Sequence, residues 1–309
     1  MAVETLEIDH DAGQRIDNFL LRTLSGVPRS RIYRLLRKGE VRVNGKRTKP
    51  EYRLEAGDRV RIPPVRRDEA DAQRRLPAPV LAALQTSVIH QDDRIIVLNK
   101  ASGLAVHGGS GVDFGVIEGM RALFGKRMEL AHRIDRDTSG CLVLARTRPA
   151  LVALHEAFRT GSVSKRYDFL TYGRWPAKAR TARQRLKRYV TRSGERRVRV
   201  DLGGKPSRTD FEVQQVDHGK SWVVARPHTG RTHQIRVHCL AWDHPIIGDE
   251  KYADDRLLER ARGEGVQRLC LHASALSFVL DGKKMKFVAP IPPDFEQAWG
   301  SEKKPELNL

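Results

Sequence analysis

In the stretch AHRIDRDTSG, Ala131 to Gly140, an aspartate stands with an arginine on either side, Arg133 and Arg136. Nearby cations favour an ionised carboxylate. Thr138, Ser139 and Gly140 then supply two hydroxyls and a residue without a Cβ, which suits a tight turn able to fix that carboxylate. The flanks, Met128 to Ala131 and Cys141 to Ala145, are apolar runs that read as strands. An ionised aspartate held at such a turn can attack a carbon centre or take a proton, so Asp135 is a candidate nucleophile. Asp, Thr, Ser and Gly between apolar runs are also ordinary turn chemistry, and on spacing alone that simpler reading is favoured. Asp137, two positions on, offers a carboxylate pair of the kind glycosidases use.

Two later segments hold further candidates. Ser164 to Tyr172 reads as a strand, with Lys165, Tyr167 and Phe169 on one face. A tyrosine there is more often core filler than a binding platform. Arg236 sits in an otherwise apolar stretch, Gly230 to His238, and by itself would suit a structural ion pair. His233 and His238 suggest a metal, but five residues apart they lie about 140° apart on a helix and on opposite faces of a strand, so no metal site is expected. Gly119 to Lys126 resembles a phosphate loop but has five residues where four are needed, and Arg127 follows where Ser or Thr is required. No nucleotide triphosphate site is expected.

The elements that must carry these residues belong to a strongly basic chain. Its 309 residues contain 57 Lys and Arg against 38 Asp and Glu, a formal charge of +19, which points to a polyanionic partner. No segment has the apolar length of a spanning helix, and the acidic start MAVETLEIDHDAG lacks the features of a secretory signal, so nucleic acid is favoured over membrane and a cytoplasmic location is expected. Cys141, Cys239 and Cys270 are too few and too scattered for a disulfide framework. After a tail of residues 1 to 13, Ile16, Phe19, Leu20 and Leu24 predict a helix closed by Ser25-Gly26. A second helix starts near Pro28 with Ile32, Leu35 and Leu36 inward and Arg29, Arg31, Arg34, Arg37 and Lys38 outward. Val41 and Val43, the turn Asn44-Gly45, and Val60 with Ile62 predict a small hairpin sheet. Pro63 to Pro79 reads as a linker, placed at residues 64 to 86. The second domain, 87 to 300, opens with Val88-Ile89 and the strand Ile95 to Leu98, and Asn99-Lys100 ends it. A helix is expected at Ala150 to Thr160, stopped by Gly161, and a strand at Leu269 to Leu280. Lys178 to Arg199 holds ten Lys or Arg against the single acid Glu195 and is read as a hairpin lying against a polyanion. Residues 301 to 309 form a short tail.

His132-Arg133-Ile134-Asp135-x-x-Thr138-Ser139-Gly140 resembles the active-site motif of the pseudouridine synthases, in which the Asp is catalytic. Ser164-Lys165-Arg166-Tyr167, Gly230-Arg231-Thr232-His233-Gln234-Ile235-Arg236-Val237-His238 and Leu271-His272-Ala273 resemble that family's later motifs, in the same order. Gln14 to Pro63 is similar to an S4-like RNA-binding domain, on Arg29-Ser30-Arg31, Gly39-Glu40-Val41-x-Val43-Asn44-Gly45 and Ala56-Gly57-Asp58. The resemblance implies an α+β fold: a catalytic domain with a mixed, largely antiparallel central sheet, preceded by the S4-like domain. It implies isomerisation of uridine to pseudouridine in bacterial large-subunit ribosomal RNA, as free RNA or in an assembling subunit, by a monomer without cofactor. In that reading Asp135 attacks the ribose or removes its 2′ proton. Tyr167 stacks on the flipped base and helps take the proton from carbon 5, Arg236 pairs with the Asp, and Arg133 fills the gap in the RNA. Arg29, Arg31, Arg34 and Lys38 hold phosphates, and Asp137 and His272 are structural. An RNA-binding assembly factor or a base-releasing hydrolase would share part of this pattern.

Overall fold

The computed structural model describes residues 3–9, 11–24, 27–65, 76–108, 114–125, 127–178 and 180–300, and the chain divides after Pro77 into two units, Met1–Pro77 and Ala78–Leu309. In the first unit, α1 (Ile16–Thr23) and α2 (Arg29–Lys38) bury Ile16, Phe19, Leu20, Ile32, Leu35 and Leu36 against a four-stranded sheet. Its order is β1 (Glu4–Glu7), β4 (Arg59–Ile62), β2 (Arg42–Val43), β3 (Lys46–Arg47). Asn44 and Gly45, with φ of 50° and 77°, make the tight turn that their sequence predicts. One expectation changes. The tail of residues 1 to 13 contains a strand, since β1 pairs along the free edge of β4 and the following Ile8 is buried. The proposed helix stop at Ser25-Gly26 lies outside the described residues.

The second unit is built on one sheet of 11 strands. Its main path runs β11 (Arg196–Val200), β10 (Thr181–Val190), β12 (Lys205–Asp217), β13 (Lys220–Pro227), β9 (Ser164–Tyr172), β14 (Leu271–Leu280), β8 (Ser139–Ala145), β6 (Ile95–Lys100), β5 (Val88–Gln91). β15 (Lys283–Val288) pairs with β14 and β7 (Glu129–Leu130) with β8. Every pairing is antiparallel except β14 with β8, so the sheet is mixed and largely antiparallel, as the resemblance implies. Helices α3 (Ala78–Thr86), α4 (Val116–Phe124), α5 (Arg148–Thr160), α6 (Gln234–Leu240), α7 (Asp255–Gly263) and α8 (Pro293–Trp299) pack around it. Thr147 caps α5, and Gly161, at φ 79°, ends it. α3 falls inside the stretch read as linker. Its Leu84 joins Ile96, Leu98, Leu142 and Leu144 in a buried cluster, and that burial outweighs the prolines that bracket the segment. The basic stretch is a hairpin, β10 and β11, as expected. No helix among the described residues is long and apolar enough to cross a membrane.

Candidate active site

The loop between β7 and β8 carries Asp135, and it is tied down on both sides of that residue. Ile134 is buried in the apolar cluster beneath it, and Thr138 and Ser139 are buried after it. The Thr138 N–H donates to the Asp135 carbonyl at 3.2 Å, closing the turn. From the end of β6, Lys100 Nζ donates to the carbonyls of Ala101, Leu104 and Arg136 at 2.8, 2.9 and 2.8 Å, and Ser102 Oγ donates to the Asp137 carbonyl at 2.6 Å. These bonds fix the loop and leave the Asp135 side chain out of them. Its carboxylate makes no hydrogen bond or ion pair with any described residue, whereas Asp137 is held by Arg136 Nε at 2.9 Å. Asp137 therefore takes the structural part, and Asp135 is the free carboxylate. His132 is structural too. Its Nε2 accepts from the Val143 N–H at 3.0 Å, its ring stacks on Phe158, and burial pulls its pKa down to about 3.

The charge of Asp135 is felt by four side chains from different parts of the fold: Lys100, Tyr167, His233 and Arg236. Tyr167 lies on β9, half-buried against two apolar clusters. Burial, and then the neighbouring Asp135, raise its phenol above the ordinary 10, so it is neutral at physiological pH. A neutral phenol with no hydrogen bond to a described residue is a poor base and a good stacking surface.

Arg236 is buried on α6, with 2% of its surface exposed. The expected pair between Arg236 and Asp135 is not a direct contact. Arg236 is instead gripped by Asp249, Nε to Oδ2 at 2.8 Å and Nη2 to Oδ1 at 2.5 Å, and its guanidinium lies 5.1 Å from the Tyr252 ring centre. Burial opposes its charge, but the Asp249 carboxylate and then Asp135 outweigh that and hold its pKa up. The third nitrogen, Nη1, is buried without a hydrogen bond. The Arg236 side chain is thus oriented by Asp249 with one donor unspent. The two histidines of this segment part company, His238 on α6 and His233 at its N-cap in the left-handed conformation. His238 is fully buried between Ser207 Oγ at 2.9 Å and Thr209 Oγ1 at 3.0 Å, while the His233 Nδ1 meets the Tyr252 hydroxyl at 2.7 Å.

Beside the Asp loop opens a cavity of about 1440 Å³, lined by Lys100, Ser102, Asp137, Ser139, Arg236 and Arg268 among others. That exceeds the usual span of a small-molecule pocket, roughly 300 to 1,000 Å³. Sequence reasoning missed Asp249, Tyr252 and Arg268, and treated Lys100 only as the end of a strand. In the first unit, Arg29, Arg34 and Lys38 are exposed on α2, and Arg31 is half-buried with its Nε unpartnered. Arg133 is exposed at the Asp loop.

Residues 94–241 match the family model of RNA pseudouridylate synthases, and residues 14–60 match that of the S4 domain. The chain belongs to the pseudouridine synthase family and is a pseudouridine synthase. It is 52% identical over 289 residues to ribosomal large subunit pseudouridine synthase C of Escherichia coli (strain K12), covering 91% of this chain and 90% of that one. The synthase of the same name from Yersinia pestis is 48% identical over 297 residues, covering 94% and 92%. Among solved structures, human RNA pseudouridylate synthase domain containing 4 superposes with a TM-score of 0.59 at 26% identity, covering 72% of this chain and 95% of that one.

Proposed function

We propose that this protein converts particular uridines of bacterial large-subunit ribosomal RNA to pseudouridine, acting in the cytoplasm as a monomer on free RNA or on an assembling subunit. One observation carries the reading: Asp135 is an unpaired carboxylate on a rigid loop, two residues from the Asp137 that lines a large cavity, with a buried guanidinium in electrostatic reach that still has an unused donor. Relatives named ribosomal large subunit pseudouridine synthase C, at about half identity over nine-tenths of the chain, support the choice of substrate.

The chemistry needs no redox step. The bond between N1 and C1′ breaks, the uracil turns, C5 joins C1′, C5 loses a proton and N1 gains one. A duplexed uridine is out of reach, so the nucleotide is flipped from its stack, at roughly a few kcal/mol. Arg133, exposed at the loop, fills the vacated place. Tyr167 stacks on the loose base, a contact worth roughly 1 to 3 kcal/mol. Asp135 either attacks C1′ or removes the 2′ proton, and Arg236, held by Asp249, stands within electrostatic reach of it. On the first unit, Arg29, Arg31, Arg34 and Lys38 bind phosphates and position the RNA without reading its sequence.

The test is to incubate the protein with unmodified large-subunit ribosomal RNA transcript and map pseudouridine by carbodiimide adduct stops, beside Asp135→Asn. The wild-type protein is expected to give stops at a few defined uridines. The variant should give none while binding the transcript within about threefold of wild type, because it removes a reacting group and not a binding contact. Stops that persist with Asp135→Asn would overturn the assignment of Asp135. No stops with either protein, on free transcript and on subunit precursors alike, would overturn the substrate.

A further inference from the structure

The β10–β11 hairpin has two different faces. Residues directly opposed in an antiparallel ladder share a face, and here Arg183 stands opposite Arg208 and Lys187 opposite Arg199, with Tyr189 opposite Arg197. Asp201 lies beside Lys187 at 3.7 Å and beside Arg199 at 3.1 Å, and Asp210 beside Arg208 at 3.2 Å, yet cations outnumber acids on this face, which suits it to phosphates. The other face is docked. Leu186 and Val198 join Val237 of α6 and Tyr252 in a small apolar cluster of their own.

Three polar ties reinforce the docking. Arg188 Nη2 donates to Thr232 Oγ1 at 2.7 Å. Glu195, the single acid of the basic stretch, forms an ion pair with Lys251. The Val198 N–H donates to the Tyr252 hydroxyl at 2.9 Å, and that hydroxyl lies 2.7 Å from His233 Nδ1. A phenol that accepts from an N–H has its one proton left to give, so it goes to Nδ1 and leaves Nε2 as the protonated nitrogen of a neutral imidazole. The same tyrosine ring lies under the Arg236 guanidinium, and its own N–H, like that of Lys251, donates to Asp249. Tyr252 therefore touches the hairpin, His233, Arg236 and the carboxylate that grips Arg236.

We propose that Tyr252 is a positioning residue that links the seating of RNA on the cationic face of the hairpin to the arrangement of His233 and Arg236 beside Asp135. RNA seated on that face holds the hairpin against Val237 and Tyr252, and with it the Val198–Tyr252–His233 chain of bonds. The inference rests on the pseudouridylation reading above.

The experiment is a double-mutant cycle on the full chain, with wild-type protein and the Asp135→Asn control on the same transcript. One variant is Tyr252→Phe, which keeps the ring in its cluster and under Arg236 and removes only the hydroxyl. The other is the triple substitution Arg183→Gln, Arg185→Gln, Lys187→Gln. Both single-turnover rate at saturating RNA and equilibrium binding are read. Tyr252→Phe is expected to bind within about twofold of wild type and to react about tenfold more slowly; the hairpin variant should bind at least about tenfold more weakly and, once saturated, also react about tenfold more slowly. The combined variant should be no slower at saturation than either alone, since both cut the same link. A merely structural tyrosine would give losses in rate that multiply, and that result overturns the proposal, as does a wild-type rate in Tyr252→Phe. If a thermal melt shows that Tyr252→Phe does not fold, Lys251→Met, which cuts the ion pair to Glu195, takes its place with the same expected outcome. Wild-type protein that makes no Asp135-dependent pseudouridine would instead overturn the underlying reading.

Discussion

Asp135 and Asp137 are two residues apart and chemically alike, yet only one carboxylate is unpaired, because Arg136 bonds the second and the turn carries the first away from it. What keeps that difference in place is Lys100, whose ammonium sits 1% exposed under the loop with three carbonyls around it. Burial pulls its pKa down to about 7, and the charge of Asp137, with that of Asp135 behind it, works the other way. Three carbonyls match the three protons of an ammonium, so the charged form suits the site best. Lys100→Met keeps the shape and orphans all three acceptors, at about 1 to 3 kcal/mol each. The expected result is a loss of at least about 3 kcal/mol in urea denaturation, and a saturated rate about a hundredfold lower as the Arg136 carbonyl drifts from place. Unchanged stability would show that the three bonds contribute nothing. The sequence made Asp135, Tyr167 and Arg236 legible through their motifs. It could not show that Lys100 is buried, because one of its acceptors, Arg136, lies 36 positions away. Asp249 was hidden for the same reason: its partner Arg236 is 13 positions back, and nothing in Gly248-Asp249 marks it off from an ordinary turn.

At the scale of the element, the Asp loop leads into the one parallel contact of the sheet. There Ser139 and Gly140 of β8 lie beside His272 and Ala273 of β14. Gly140 has φ of 108°, and a Cβ built on it would come within 2.3 Å of the Ala273 carbonyl oxygen. Both the backbone angle and the clash demand glycine. Gly140→Ala should therefore lose about 3 to 5 kcal/mol, the range of severe core substitutions. Denaturant unfolding measures it, and a loss under about 1 kcal/mol would mean that β14 can yield here. Strands with apolar runs, such as β6 and β8, and helices with one apolar face, such as α1, α2 and α5, were legible. Elements whose partners lie far off were not. β1 is polar in sequence and is a strand only because β4 has a free edge. α6 buries Gln234 through Cys239 without a break, so it shows no amphipathic pattern from which to choose helix over strand. That same burial keeps Arg236 in place.

For the whole molecule, the +19 charge favours a polyanionic partner, while sensitivity to acid comes from a few buried neutral groups. His238 and His272 are both fully buried, and burial lowers the pKa of each to about 4 from the ordinary 6.5. His272 shows why charging it is unfavourable. Its Nε2 donates to the Ala289 carbonyl at 3.2 Å, and its Nδ1 accepts from Ser139 Oγ at 2.8 Å, which itself accepts from Arg268 Nη2 at 2.6 Å. A proton on Nδ1 would break that chain. The unfolded chain takes up these two protons below about pH 6.5, whereas the folded chain resists until about pH 4. Stability is thus fully present above 6.5 and falls as pH drops from there toward 4, by up to about 1.4 kcal/mol per pH unit for each imidazole. Urea midpoints should decline from pH 6.5 through 6 and 5. A midpoint flat down to pH 5 would refute the buried neutral state of both. The two histidines join β12 to α6 and β8 to β14, and those junctions carry Arg236 and the end of the Asp loop. Isomerisation of the transcript should therefore fade over the same pH interval, ahead of global unfolding.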